Sequence, residues 1–150
     1  MAQKRREIEI ADYKELLEQL RGAVVELDSG FFVYNRKKVF LSSFAVNATE
    51  VTQEHYLRLT GKNPSRFKNP KKPVHNVTFD DAEAFCKTAG GSLPTEAQWE
   101  FAARAGTRSY FFWGDRSKDA EPYAIYRKNS LDEGIHSPAY GPQIVGSKRP

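Results

Sequence analysis

Few side chains in these 150 residues could do chemistry: one cysteine, Cys86, three histidines, His55, His75 and His136, and nineteen carboxylates. A nucleophilic thiol needs a cation or a helix N-terminus beside it to lower its pKa. Cys86 follows Phe85 and is spaced from Ala82 and Ala89 so as to share one helix face, which predicts a structural thiol on an apolar surface. The histidines stand far apart, without the short ligand spacing of a metal site, and read as surface or loop side chains. Glu96 and Glu100 lie one helical turn apart and could pair as acid and base. Helix chemistry explains them better: Glu96 suits a helix N-terminus, and Glu100 suits a hydrogen bond to packed loops. No Gly-x-Ser-x-Gly nucleophile motif occurs. On these grounds no residue is assigned to catalysis, to a cofactor or to a metal. The sequence offers instead an aromatic series with little periodicity: Tyr110, Phe111, Phe112 and Trp113, then Tyr123, Tyr126 and Tyr140. A long loop region pinned by aromatics packs on itself or carries function. Tyr110, Phe111, Tyr123, Tyr126 and Tyr140 form the candidate binding surface.

Composition sets the bounds. A hydrophobic fraction of 39% with 10 Phe, 7 Tyr and 2 Trp supplies a real core, so wholesale disorder is excluded. The net charge of +4 neither demands nor excludes nucleic acid. Basic residues gather at Lys4-Arg5-Arg6, Arg36-Lys37-Lys38 and Lys68 through Lys72. No aromatic-interleaved nucleic-acid motif accompanies them, so they read as a tail and solvated loops. A single cysteine excludes an internal disulfide and suits a reducing compartment. The charged start has no apolar run behind it, and no stretch approaches the roughly 20 apolar residues of a membrane span. The expectation is a cytoplasmic protein.

The elements follow from local patterns. Residues 1–22 read as a polar tail and a short amphipathic helix, with Asp12 as N-cap, Glu15 completing a capping box, and Gly22 as the stop. Tyr13, Leu16, Leu17 and Leu20 share its apolar face. Residues 23–150 read as one domain. Short β-branched and aromatic runs at Val24-Val25, Phe31-Phe32-Val33, Val39-Phe40-Leu41 and Phe44-Ala45-Val46 predict strands, broken at Asp28-Ser29-Gly30 and Asn35-Arg36-Lys37. Three threonines then open helices: Thr52 over Gln53–Thr60, Thr78 over Phe79–Ala89 with Asp81 at N3, and Thr95 over Glu96–Ala105 with Gln98 at N3 and Gly106 as a left-handed stop. Each cap is worth about 1 kcal/mol. Proline makes loops of Asn63-Pro64-Ser65 and of 69–73.

Several segments stand in an order that resembles a known family. Glu50-Val51-Thr52 opens a helix, and Asn63-Pro64-Ser65-Arg66-Phe67 forms a loop. Pro73-Val74-His75-Asn76-Val77-Thr78 enters Asp81-Ala82-Glu83-Ala84-Phe85-Cys86. The sharpest run is Leu93-Pro94-Thr95-Glu96-Ala97-Gln98-Trp99-Glu100-Phe101-Ala102-Ala103-Arg104, followed by Phe112-Trp113-Gly114-Asp115. These match the formylglycine-generating-enzyme, or sulfatase-modifying factor, family, and the resemblance covers about residues 24–150. It implies an α+β, C-type lectin-like fold of short strands, two or three capped helices and long irregular loops, incomplete here. Active members oxidise a sulfatase cysteine at a copper site made by two cysteines, and the resemblance places both beyond residue 150. A calcium site is also implied, but Ile125 stands where the family often has Asn. Copper and calcium are therefore not expected on this chain.

Three readings follow. The first is a non-catalytic binding or scaffold module with a protein partner or self-association. The second is an N-terminal fragment of a formylglycine-generating oxidoreductase acting on a sulfatase peptide. The third is a nucleic-acid binder using its basic loops. The resemblance also implies uncovered apolar surface, hence assembly with a partner or marginal stability. Trp99 is expected in the core.

Overall fold

The computed structural model describes residues 11–20, 23–34 and 36–149. The expected helix stop at Gly22, the turn residue Asn35, the Lys4-Arg5-Arg6 cluster and Pro150 lie outside them. The chain packs as two compact units interleaved in sequence. The first takes the chain to Val24, Asn47–Leu93 and Gln143–Val145; the second takes Val25–Val46, Pro94–Pro142 and Gly146–Pro150.

The first unit is built on three helices: α1 over residues 11–20, α2 over Gln53–Thr60 and α3 over Phe79–Thr88. Ala11 and Asp12 are already helical, which corrects the expected cap at Asp12. Its carboxylate instead meets Arg58 at 2.6 Å. Arg58 also donates to Gln19 Oε1 at 3.0 Å, and Tyr13 donates to Thr88 O, so α1 is tied to both other helices. The Thr52 hydroxyl accepts from His55 N, and α2 stops at Gly61, whose φ of 71° only glycine adopts without strain. Thr78 and Asp81 form the expected capping box of α3, which ends one residue early, at Thr88. Hydrogen bonds from the Thr78 side chain and then its backbone hold the Asp81 carboxyl below its ordinary pKa. Leu16 and Leu20 from α1, Tyr56 from α2 and Phe85 from α3 make the buried core, with the two rings stacked at 5.3 Å. Val51, Leu59, Val74, Val77, Cys86 and Ala89 pack around it.

In the second unit the strand runs appear where alternation places them. β1 (Val24–Leu27) pairs with β4 (Phe44–Asn47), and β2 (Gly30–Tyr34) pairs antiparallel with β3 (Lys37–Leu41). Phe31 lies opposite Phe40, and Phe32 opposite Val39. Period-two alternation puts Phe32 and Val39 on the covered face and Phe31, Val33 and Phe40 on the open one. The helix α4 (Glu96–Arg104), capped by Thr95 and Gln98, lays Phe101 against Phe32 and Phe44. Trp99 is 62% exposed, contrary to expectation. At about 100° per residue, side chains two apart point to opposite sides of a helix, so packing Phe101 turns Trp99 outward. The left-handed end of α4 is Ala105, at φ 46°, with Gly106 continuing at 76°. The rest of the unit is irregular, with single 3-10 turns at Ser117–Asp119, Arg127–Asn129 and Leu131–Glu133.

No helix among the described residues is long and apolar enough to cross a membrane.

Candidate functional site

The aromatic segment is positioned from the end of α4. Glu100 holds Arg104 one turn later at 2.7 Å, and Arg104 Nη1 reaches Ser109 O at 3.3 Å. Glu100 thus serves the packed loops through Arg104, and nothing places it opposite Glu96 as an acid–base pair. Thr107 closes back on Arg104 O through both its amide and its hydroxyl. Asp115 accepts from Tyr110 N, while Phe111 and Gly114 exchange both backbone hydrogen bonds. That tight turn needs Gly114, at φ 127°.

The turn sends Phe111 and Trp113 to the same side. Their rings stack at 4.7 Å with an interplanar angle of 0°, and Trp113 stacks in turn on Tyr123 at 5.5 Å and 2°. Phe112 stands edge-on to both Trp113 and Tyr123. The Trp113 indole donates to Arg116 O, and Tyr123 N donates to Ala120 O. Such pairs add about 0.5–1.5 kcal/mol each beyond area burial, so the turn is held rigid. Tyr110 projects from it, 82% exposed. Of the five candidate residues, the structure joins Tyr110, Phe111 and Tyr123 into this feature. Tyr126 instead starts a 3-10 turn, its amide donating to Asn129 Oδ1, and Tyr140 N closes a turn onto Ser137 O. The residue that organises the stack is Trp113, and the turn signal Phe-Trp-Gly-Asp was the clue to it.

A second organised region went unread in the sequence. Gln53, at the first position of α2, is 1% exposed and uses its whole amide. Nε2 donates to Phe67 O at 2.9 Å and Pro73 O at 3.3 Å, while Oε1 accepts from Asn63 Nδ2 at 3.0 Å and Asn69 N at 3.2 Å. Ser65 and His75 lock the same loop. The Ser65 hydroxyl accepts from His75 N and donates to His75 O. His75 Nε2 accepts from the amides of Arg66 and Phe67, with Nδ1 3.3 Å from Pro73 O. Two main-chain amides directed at Nε2 make His75 a structural side chain of this loop.

The remaining chemistry-bearing residues are dispersed. Burial pushes the Cys86 thiol up, away from the thiolate form a nucleophile needs. Burial is also the largest influence lowering the His55 imidazole, with Arg58 adding to it and Glu54 opposing it. Among the described residues, no three His, Cys, Asp or Glu side chains gather as a metal site. A copper centre of two thiolates does not fit these residues, because the chain has a single sulfhydryl and that one packs on the core.

Comparison with known proteins places this arrangement. The family model for the sulfatase-modifying factor enzyme 1-like domain matches residues 18–150. The chain is similar to the chaperone protein LppX of Paenibacillus barcinonensis, with 29% identity over 154 residues, covering 77% of this chain and 55% of that one. It is 52% identical over 46 residues to the formylglycine-generating enzyme of Mycobacterium tuberculosis, covering 31% of this chain and 15% of the enzyme. Treponema denticola variable protein 1 superposes with a TM-score of 0.70 at 24% identity, over 85% of this chain and 66% of that one, and so shares the fold. The chain's matches span 15% to 55% of the length of these two sequence relatives. With the α+β, C-type lectin-like fold and the ordered motifs in place, the chain belongs to the sulfatase-modifying factor enzyme 1-like domain family.

Proposed function

We propose that this chain is a non-catalytic binding module that uses the sulfatase-modifying factor fold to present the Tyr110–Tyr123 aromatic segment to a protein partner. The observation that carries the reading is the rigid stack of Phe111, Trp113 and Tyr123 with Tyr110 standing out from it. Aromatic side chains on an ordered backbone bring large contact area at low entropic cost, the profile of an interface anchor. The open face of β2 and β3 supports a partnered state as well, with Phe31, Val33 and Phe40 exposed by 63%, 64% and 54%. A relative named as a chaperone is in keeping with a role exercised by binding proteins. The test is co-purification of the tagged chain from its source with one stoichiometric partner, repeated with Tyr110→Ala/Phe111→Ala. Loss of that partner in the variant supports the reading. Copper-dependent oxygen consumption with a sulfatase peptide by these residues alone refutes it.

A second reading is favoured by the share of its relatives that the chain spans: it is the leading part of an enzyme whose two copper-binding cysteines follow in the same polypeptide. Reading the coding sequence past codon 150 decides it. Two further cysteines in frame would establish this reading, and a stop codon would end it.

A further inference from the structure

The positive charge of this chain is concentrated in one place. From Tyr56 to Phe79 there is no acidic residue, while Arg58, Lys62, Arg66, Lys68, Lys71 and Lys72 fall within the stretch. The remaining seventeen basic residues face nineteen acidic ones, so without this segment the chain would carry a net charge of −2 instead of +4. Arg58 is used on Asp12, and Lys62 lies close enough to Asp81 to help hold that carboxyl ionised. Arg66, Lys68, Lys71 and Lys72 meet no carboxylate within ion-pair distance among the described residues.

These four cations ride on a backbone that is already fixed. Gln53, Ser65 and His75 pin the loop from inside, and α2 adds Gln53 N to Lys72 O and Glu54 N to Pro70 O. Asn69 Oδ1 holds Lys71 N. A ligand therefore orders cationic side chains and no backbone, and Lys68 is already held near its place by donating to Asn63 O, which lowers the entropic cost of binding. Beside the cations an open concavity of about 320 Å³ is walled by Leu57, Pro70, Asn63, Lys68 and Glu54. Leu57 is largely exposed there, giving the cationic surface an apolar neighbour.

We propose that the 66–72 loop with the Leu57–Pro70 concavity is a docking surface for an acidic peptide segment carrying one apolar side chain. The apolar residue sits in the concavity, and the carboxylates run over Arg66, Lys68, Lys71 and Lys72. Glu54, also in the lining of the concavity, repels acid there and sets the direction of the peptide. An acidic polypeptide is favoured over a single-stranded nucleic acid by the state of Phe67, the one aromatic within the loop. It is half-buried, tilted against the His75 ring at 5.8 Å, with the Arg66 guanidinium over it at 5.5 Å. No ring is left open in the loop for bases to stack on, and stacking is what single strands need.

The experiment is fluorescence anisotropy of a labelled twelve-residue Asp/Glu peptide with one central Leu, titrated with the full chain at low and at high salt. Saturable 1:1 binding that weakens about tenfold or more between the two salts is expected, because the contacts are exposed ion pairs. Lys68→Glu/Lys71→Glu/Lys72→Glu should weaken it at least tenfold with an unchanged circular dichroism spectrum. Leu57→Ser should weaken the Leu peptide about threefold and leave a Ser-substituted peptide unaffected. Three results overturn the proposal: no saturable binding by the wild-type chain, equal binding by the folded triple variant, or tighter binding of a twelve-nucleotide oligo-dT than of the peptide. Equal loss for both peptides on Leu57→Ser also overturns the seating of the apolar residue.

Discussion

Gln53→Leu removes the amide that organises the loop after α2 while keeping the side chain's bulk. Four hydrogen bonds end on that amide, but they are not equally hard to replace. The Asn63 side chain can turn toward water, and Pro73 O retains the nearby His75 Nδ1. Phe67 O and Asn69 N are main-chain groups of a pinned loop and lose their partner outright. Each buried group left unsatisfied costs about 1–3 kcal/mol. The leucine recovers part of this through apolar burial, so the net loss should be about 2–4 kcal/mol. Gln53→Glu should cost at least as much at neutral pH, because an ionised oxygen would then face the carbonyls of Phe67 and Pro73. It should recover as pH falls and the introduced carboxyl gains a proton to donate. Urea unfolding followed by far-UV circular dichroism gives the stability change, and amide hydrogen exchange at Asn69 reports the loop directly. An unchanged unfolding midpoint for Gln53→Leu, with the Asn69 amide still protected, would refute the reasoning.

Other outcomes can be checked with less effort. Trp99→Ala should cost less than about 1 kcal/mol, whereas Phe101→Ala should cost about 3 kcal/mol, since it is Phe101 that packs on Phe32 and Phe44; urea midpoints of the two variants decide the order. The His55 imidazole is lowered by burial, so the folded state binds its proton less readily than the unfolded chain does. Its contribution is complete above the ordinary histidine pKa, about 6.5, and is lost as pH falls through the lower folded value. The difference in stability between the wild type and His55→Gln should accordingly shrink between pH 7 and pH 5, and a constant difference would count against the burial. Cys86 should react with iodoacetamide more slowly than a free thiol at pH 7, and should approach the free rate in urea. Light scattering on the purified chain should show self-association or binding of a partner over the exposed Phe31, Val33 and Phe40; a monodisperse monomer with a sharp, high-temperature transition would argue otherwise.

What the sequence disclosed was whatever local chemistry decides. Thr52, Thr78 and Thr95 each satisfy helix amides within three residues, and all three caps stand where the spacing placed them. Strand runs were legible because alternation is also local, and the ordered motifs carried the family. Choices made by distant packing were hidden. Asp12 has the right type for a cap, yet Arg58, forty-six residues on, draws it into an ion pair within the helix. Trp99 and Phe101 compete for the same sheet, and only the sheet's position selects the phenylalanine. Gln53 looks like an ordinary helix residue until the folded loop brings four partners to it. In the aromatic segment, composition announced the cluster, but the Phe111–Gly114 turn determined which rings stack, leaving Tyr126 and Tyr140 in separate turns.

The first helix carries a practical consequence for anyone expressing this domain. Leu16 and Leu20 supply half of the four buried residues that form the core of their unit, and the family match begins only at residue 18. A clone trimmed to the recognisable domain would discard Leu16, and one begun at residue 23 would discard both. Tyr56 and Phe85 would then face solvent as a bare ring pair. Such a product should collect in inclusion bodies, and adding back residues 11–22 should return it to the supernatant.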